Sequence, residues 1–193
     1  MLDMFFSSGI ARPALLWQQH DPRLVALSVL LAILASMMAL HMAALARRAS
    51  GALPRHLALL TGAIALGGGI WAMHFIGMLA FALCARGRFD PWMTLVSFVP
   101  GLAASWVALH LLMRRTVGPW VLLGGGVLVG AGIGAMHYIG MAASELAPMM
   151  RYDPVGFATS IVVAVLLATL ALWVRFGLQR HMRWRSWWAS TLA

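Results

Sequence analysis

The sequence is poor in charge and poorer still in negative charge: 10% of its 193 residues are charged and only five are acidic. In soluble domains roughly a quarter of residues are charged. Residues 24–46, 57–85, 91–113, 117–144 and 154–174 hold no Asp, Glu, Lys or Arg, and 62% of the whole chain is hydrophobic, which excludes a soluble fold and indicates an integral membrane protein. Each stretch, as a helix, is long enough to cross about 30 Å of hydrocarbon. Five crossings are therefore expected. Cysteine is nearly absent, and the single Cys84 excludes an intrachain disulfide and any multi-cysteine metal site. It reads as a small apolar residue near a helix end. No basic run precedes Phe5 and Phe6, so the first twenty residues do not read as a cleaved signal. They are taken as a periplasmic segment, 1–20, in which Trp17 and the Phe pair rest near the headgroups.

The charges that are present are sorted by side. Arg47, Arg48, Arg55, Arg114, Arg115, Arg175, Arg180, Arg183 and Arg185 share one face of the expected topology, formed by the first loop, the third loop and the C-terminus. All five acids, Asp3, Asp21, Asp90, Glu145 and Asp153, fall on the opposite face with Arg12, Arg23, Arg86, Arg88 and Arg151. The positive-inside rule then predicts a multi-pass protein of the bacterial inner membrane with its N-terminus outside and its C-terminus in the cytoplasm. Topology accounts for the net charge of +9. With no basic soluble module to carry it, nucleic acid is not an expected partner, whereas the lipid bilayer is.

The chain repeats itself. His20, Phe89 and Tyr152 each precede an Asp-Pro pair, at Asp21, Asp90 and Asp153, and twenty residues after each Asp stands His41, His110 or Trp173. That distance is about 30 Å of helix. Asp before Pro suits a helix start, since Asp caps free N–H groups and Pro is tolerated in the first turn. Pro100 beside Gly101 predicts a kink in the third crossing. Helix 21–45 pairs with 56–83, and 90–113 with 119–146. The spacings His74 to His137 and Asp90 to Asp153 are both 63 residues. The predicted fold is thus all-α, a polytopic transmembrane bundle of helical hairpins repeated in parallel orientation about the membrane normal. The membrane domain is set at 21–174. Residues 175–193 read as a basic, Trp-rich cytoplasmic tail (Trp184, Trp187, Trp188) or the start of a sixth, truncated helix.

Within the second and fourth crossings the strings GGGIWAMHFIGM, from Gly67 to Met78, and AGIGAMHYIGM, from Ala131 to Met141, are near copies. On a helix His74 and Met78 share a face, as do His137 and Met141, while Met73 and Met136 lie about 100° round the axis. Polar groups inside an apolar span mark function by default. Neutral imidazole and thioether bind a cation without losing a proton, and soft sulfur selects copper, especially Cu(I). No carboxylate adjoins either motif, which disfavours magnesium, calcium or a di-iron carboxylate site. The candidate metal ligands are His74, His137, Met73, Met136, Met78 and Met141. Haem, held axially by the two histidines, is the alternative cofactor. His41 and His110 fall near the inner interface and stay outside the site. The glycines ahead of each motif permit close helix contact.

The two motif strings, their G-x-G-I approach, the aromatic-Asp-Pro helix starts and the hairpin repeat resemble the MHYT family of bacterial integral membrane sensors. The resemblance covers His20 to Ala193 and maps the motif onto Met73, His74, Phe75 and Ile76, then Met136, His137, Tyr138 and Ile139. It implies a sensory domain that holds copper through Met and His and detects a diatomic gas such as oxygen, CO or NO, or redox state. Two departures stand out: Ile replaces the Thr of the family name in both copies, and the family's usual third motif is missing. The resemblance also implies attachment to cytoplasmic signalling modules, whereas fewer than about twenty residues follow the fifth crossing, below the size of a domain. The expectation is a non-enzymatic sensor that signals through a partner chain or a missing region, with a homo-oligomer as one way to complete the site. A metal or small-solute transporter or channel, and a haem-binding redox membrane protein, are the competing readings.

Overall fold

The computed structural model describes residues 20–80, 88–114, 116–144 and 153–191, with side chains in the last helix described to residue 177. Five helices make up this part of the chain: α1 Pro22–Arg48, α2 Ala52–Ala80, α3 Pro91–Leu112, α4 Pro119–Ala142 and α5 Pro154–Thr191. All five are long and apolar enough to cross a membrane. A helix satisfies its own backbone hydrogen bonds, which hydrocarbon cannot do for it. The all-α hairpin architecture expected from the repeats is the one found.

The repeated Asp-Pro openings act as helix starts. Asp21 Oδ1 accepts from the backbone N–H of Arg23 at 2.8 Å, Asp90 Oδ1 from that of Met93 at 2.7 Å, and Asp153 Oδ2 from that of Gly156 at 2.6 Å. Each carboxylate thereby satisfies an N–H that the helix leaves unpaired. The backbone N–H of Asp21 donates to Ala80 O at 2.9 Å, and that of Asp90 to Ala143 O at 2.7 Å. Ala80 and Ala143 are 63 residues apart, so the repeat is expressed in how each hairpin is tied at its open end. At the other end Arg47 donates to Leu112 O, linking the ends of α1 and α3.

Helices adjacent in sequence pack together: α1 on α2, α2 on α3, α3 on α4 and α4 on α5. In the half away from the Asp-Pro starts the core is built from Ala39, Ala43, Ala46, Ala58, Leu59, Ala63 and Leu109, mostly small residues that bring α1, α2 and α3 close. Glycine does the same where backbones nearly touch. A Cβ on Gly67 would lie 3.0 Å from Leu102 Cα, and one on Gly130 would lie 2.6 Å from Val165 Cα, so α2–α3 and α4–α5 use equivalent positions for their closest approach. Helix α3 runs through Pro100 without interruption. Trp92 at the start of α3 and Trp120 at the start of α4 are exposed at opposite ends of the bundle, where indoles sit at the headgroup level.

Helix α5 continues as one element to Thr191, carrying the backbone of the basic segment after Arg175 with it. Residues 1–19, Cys84 and the side chains of Trp184, Trp187 and Trp188 lie outside the described residues.

Candidate functional site

The two motif helices are fixed to their neighbours through one repeated serine. Ser97 on α3 donates to Thr94 O at 2.7 Å and accepts from the indole N–H of Trp71 on α2 at 3.0 Å. One repeat later Ser160 on α5 donates to Phe157 O at 2.8 Å and bonds the Tyr138 hydroxyl on α4 at 2.6 Å. The motif helix supplies the partner from a different position each time. Gly134 stands where Trp71 would recur, and Phe75, which has no hydroxyl, stands where Tyr138 would. Aromatic contacts reinforce both anchors, Trp71 with Phe75 at 4.9 Å between ring centroids and Tyr138 with Phe157 at 4.5 Å.

Anchored in this way, α2 and α4 bring their histidines together. Nδ1 of His74 lies 3.3 Å from Nδ1 of His137, with ring centroids 4.7 Å apart and planes inclined at 61°. The pair sits about 8 Å along the axis from the helix ends that meet the Asp-Pro starts, by residue count. It is therefore in that half of the span, clear of the alanine core. The two rings differ in surroundings. Nε2 of His74 is buried without a hydrogen-bond partner and rests against Gly140, where a Cβ would stand 2.8 Å from it. His137 is exposed on the surface of the single chain.

A separation of 3.3 Å is long for an N–H···N hydrogen bond, whose usual range centres near 3.0 Å. It equals the spacing of about 3.3 Å between two nitrogens held by one tetrahedral ion at about 2.0 Å. The pair thus suits either a direct hydrogen bond, with one Nδ1 bare and the other protonated, or two ligands of one metal ion. Met78 and Met141 lie one turn from the histidines on the same helix faces, and thioether sulfur is a soft donor. Copper(I) fits that chemistry.

Of the remaining sulfur candidates, Met136 is 2% exposed and turned toward α3, its Cγ 3.4 Å from where a Cβ of Gly101 would be. Met73 is half-buried on α2. Among the described residues no three His, Cys, Asp or Glu side chains cluster as a metal site. Axial haem ligation needs a macrocycle between the two rings. At 4.7 Å between centroids and 61° between planes there is no slot for one.

Residue by residue, then, His74 and His137 meet, while Ser97, Ser160, Trp71 and Gly140 belong to the site's frame and were not singled out from the sequence as its parts. The 63-residue offset pairs Ser97 with Ser160 and would have found that element. Comparison with known proteins gives the same frame a family. Residues 13–55, 67–125 and 130–189 match the MHYT family, described as "Bacterial signalling protein N terminal repeat". The chain belongs to the MHYT family. It is 42% identical over 170 residues to the bifunctional diguanylate cyclase/cyclic di-GMP phosphodiesterase MucR of Pseudomonas aeruginosa, covering 88% of this chain and 24% of that protein. It is 39% identical over 155 residues to the cyclic di-GMP phosphodiesterase NbdA of the same organism, covering 79% of this chain and 19% of NbdA. Signaling protein YkoW of Bacillus subtilis is 31% identical over 159 residues, or 82% of this chain and 20% of YkoW. The MHYT chain spans about a quarter or less of the length of these curated relatives. No solved structure matches it.

Proposed function

We propose that this MHYT chain is the non-enzymatic sensory input of a bacterial inner-membrane signalling system, with the His74–His137 pair as its receptor site. The observation that carries the reading is the meeting of two Nδ1 atoms from equivalent motif positions at 3.3 Å. His74, His137, Met78 and Met141 would hold copper there. Copper supplies an electron-exchanging centre that responds to redox state or to a diatomic gas such as oxygen, CO or NO. The surrounding residues set the frame: Trp71–Ser97 ties the first ring to α3, and Tyr138–Ser160 ties the second to α5. Helix α5 extends well past the length needed to cross the bilayer. A change in ring separation is passed along it to a cytoplasmic signalling module, as the cyclic di-GMP activities named in the relatives suggest.

The orientation follows from charge, with the Asp-Pro starts outside and the arginine-rich ends in the cytoplasm. The site is then reached from the periplasmic side. The test is metal analysis of the purified chain beside the double variant His74→Ala, His137→Ala. Copper near one equivalent in the wild type and a loss of at least tenfold in the variant, with helicity unchanged by circular dichroism, supports the reading. Equal copper in both removes it.

A further inference from the structure

The two repeats are alike in sequence and unlike in how they are covered. His74 has its Nε2 buried against Gly140 of the next motif helix. His137, one repeat later, has no equivalent cover among the described residues and is exposed. Conversely Gly77, one repeat before Gly140, would meet nothing within 4 Å if given a Cβ. An exposed imidazole within an apolar span and an open glycine with no ring on it are the two halves of one contact that is made once among the described residues.

We propose that a second copy of this chain closes the site, with His137 of each copy resting on Gly77 of the other. Rotation about the membrane normal keeps every residue at its depth, so His137 reaches the partner's Gly77 at the level where His74 reaches Gly140. The contact is reciprocal, as a twofold interface requires. Imidazole facing lipid is costly, and intramembrane His residues turn toward protein or water. The partner's motif string, HFIGM, offers nearly the surface that HYIGM already offers to His74 within the chain. Small residues allow that approach between membrane helices, as Gly140 demonstrates here. The result is a central cluster of four histidines. This deepens the receptor reading but does not depend on metal, because it rests on the cover of His137 alone.

Two copies with different tags, both in a Cys84→Ala background, carry Gly77→Cys and His137→Cys respectively and are mixed in lipid nanodiscs under mild diamide oxidation. The mixed disulfide is expected at ten or more times the level found when Leu95→Cys replaces Gly77→Cys. Leu95 is exposed on α3 at comparable depth. In parallel, Gly77→Trp fills the open position with bulk that the single chain can hold. Light scattering is expected to show a dimer for the wild type and a monomer for Gly77→Trp with unchanged helicity. A wild-type monomer, cross-linking no higher than the control, or a Gly77→Trp chain that remains dimeric would each overturn the proposal. Copper content of Gly77→Trp is read separately: retention at wild-type level per chain leaves the metal reading standing whichever way the association falls.

Discussion

Nε2 of His74 and Gly140 are in direct contact, and a Cβ at Gly140 would stand 2.8 Å from that nitrogen. The ring must therefore shift if Gly140 becomes Ala, and its contact with His137 shifts with it. Overpacking of this kind costs about 1–3 kcal/mol. Gly77→Ala, at the equivalent place, meets nothing within the chain and should gain about 0.5–1 kcal/mol of helix stability in the monomer. Thermal unfolding of the two variants, as monomers in detergent, is expected to move in opposite directions. Equal shifts would show that His74 is not held where it is by the missing side chain.

The serine anchors predict a second pair of effects. Trp71→Phe removes an N–H shared between Thr94 O and Ser97 Oγ, and leaves a fully buried serine short of a donor. Tyr138→Phe removes the hydroxyl facing Ser160. Hydrogen bonds between membrane helices contribute about 0.6 kcal/mol on average and about 1.7 at most. Each variant should lose stability within that range. The anchors join different helix pairs, so the double variant should be additive within about 0.5 kcal/mol. A larger deficit would mean that the two anchors are coupled through the histidines between them.

The Asp-Pro starts predict a distinction between capping and charge. Asp90→Ala removes the acceptor for the Met93 N–H and should cost about 1 kcal/mol, whereas Asp90→Asn keeps an acceptor of nearly equal quality. Denaturation midpoints are expected to fall for Ala and stay near wild type for Asn. If Asn fell as far as Ala, the negative charge itself would be required.

Most of this fold is legible in the chain because a membrane permits few solutions. Uncharged stretches of twenty or more residues must be helices, Asp-Pro marks where the first, third and fifth begin, and a 63-residue offset shared by His74–His137 and Asp90–Asp153 places the two histidines at one depth. What the sequence did not display is which neighbour each side chain finds. The hydrogen bond to the repeated serine comes from an indole in one unit and a phenol in the other, so the anchor is conserved in space while its sequence position moves. The cover of His74 by Gly140 was likewise hidden, because a glycine's role as the floor beneath a ring depends on the helix opposite.

The same limit bears on the methionines, where repetition makes all four motif sulfurs look equivalent. Met136 is buried against Gly101 of α3, about 100° round the axis from His137, whereas Met141 is one turn from His137 on its own face. Packing and ligation then predict different outcomes for one conservative change. Met136→Leu conserves volume in a filled contact and should cost less than about 1.5 kcal/mol while leaving copper content unchanged. Met141→Leu should preserve stability and lower copper affinity, since it exchanges a soft donor for a methyl group near the imidazole pair. Competition with a Cu(I) chelator measures both variants on one scale. A loss of affinity in Met136→Leu as large as that in Met141→Leu would require Met136 to turn from α3 toward the histidines, opening a void beside Gly101 that thermal unfolding of the metal-free protein would register.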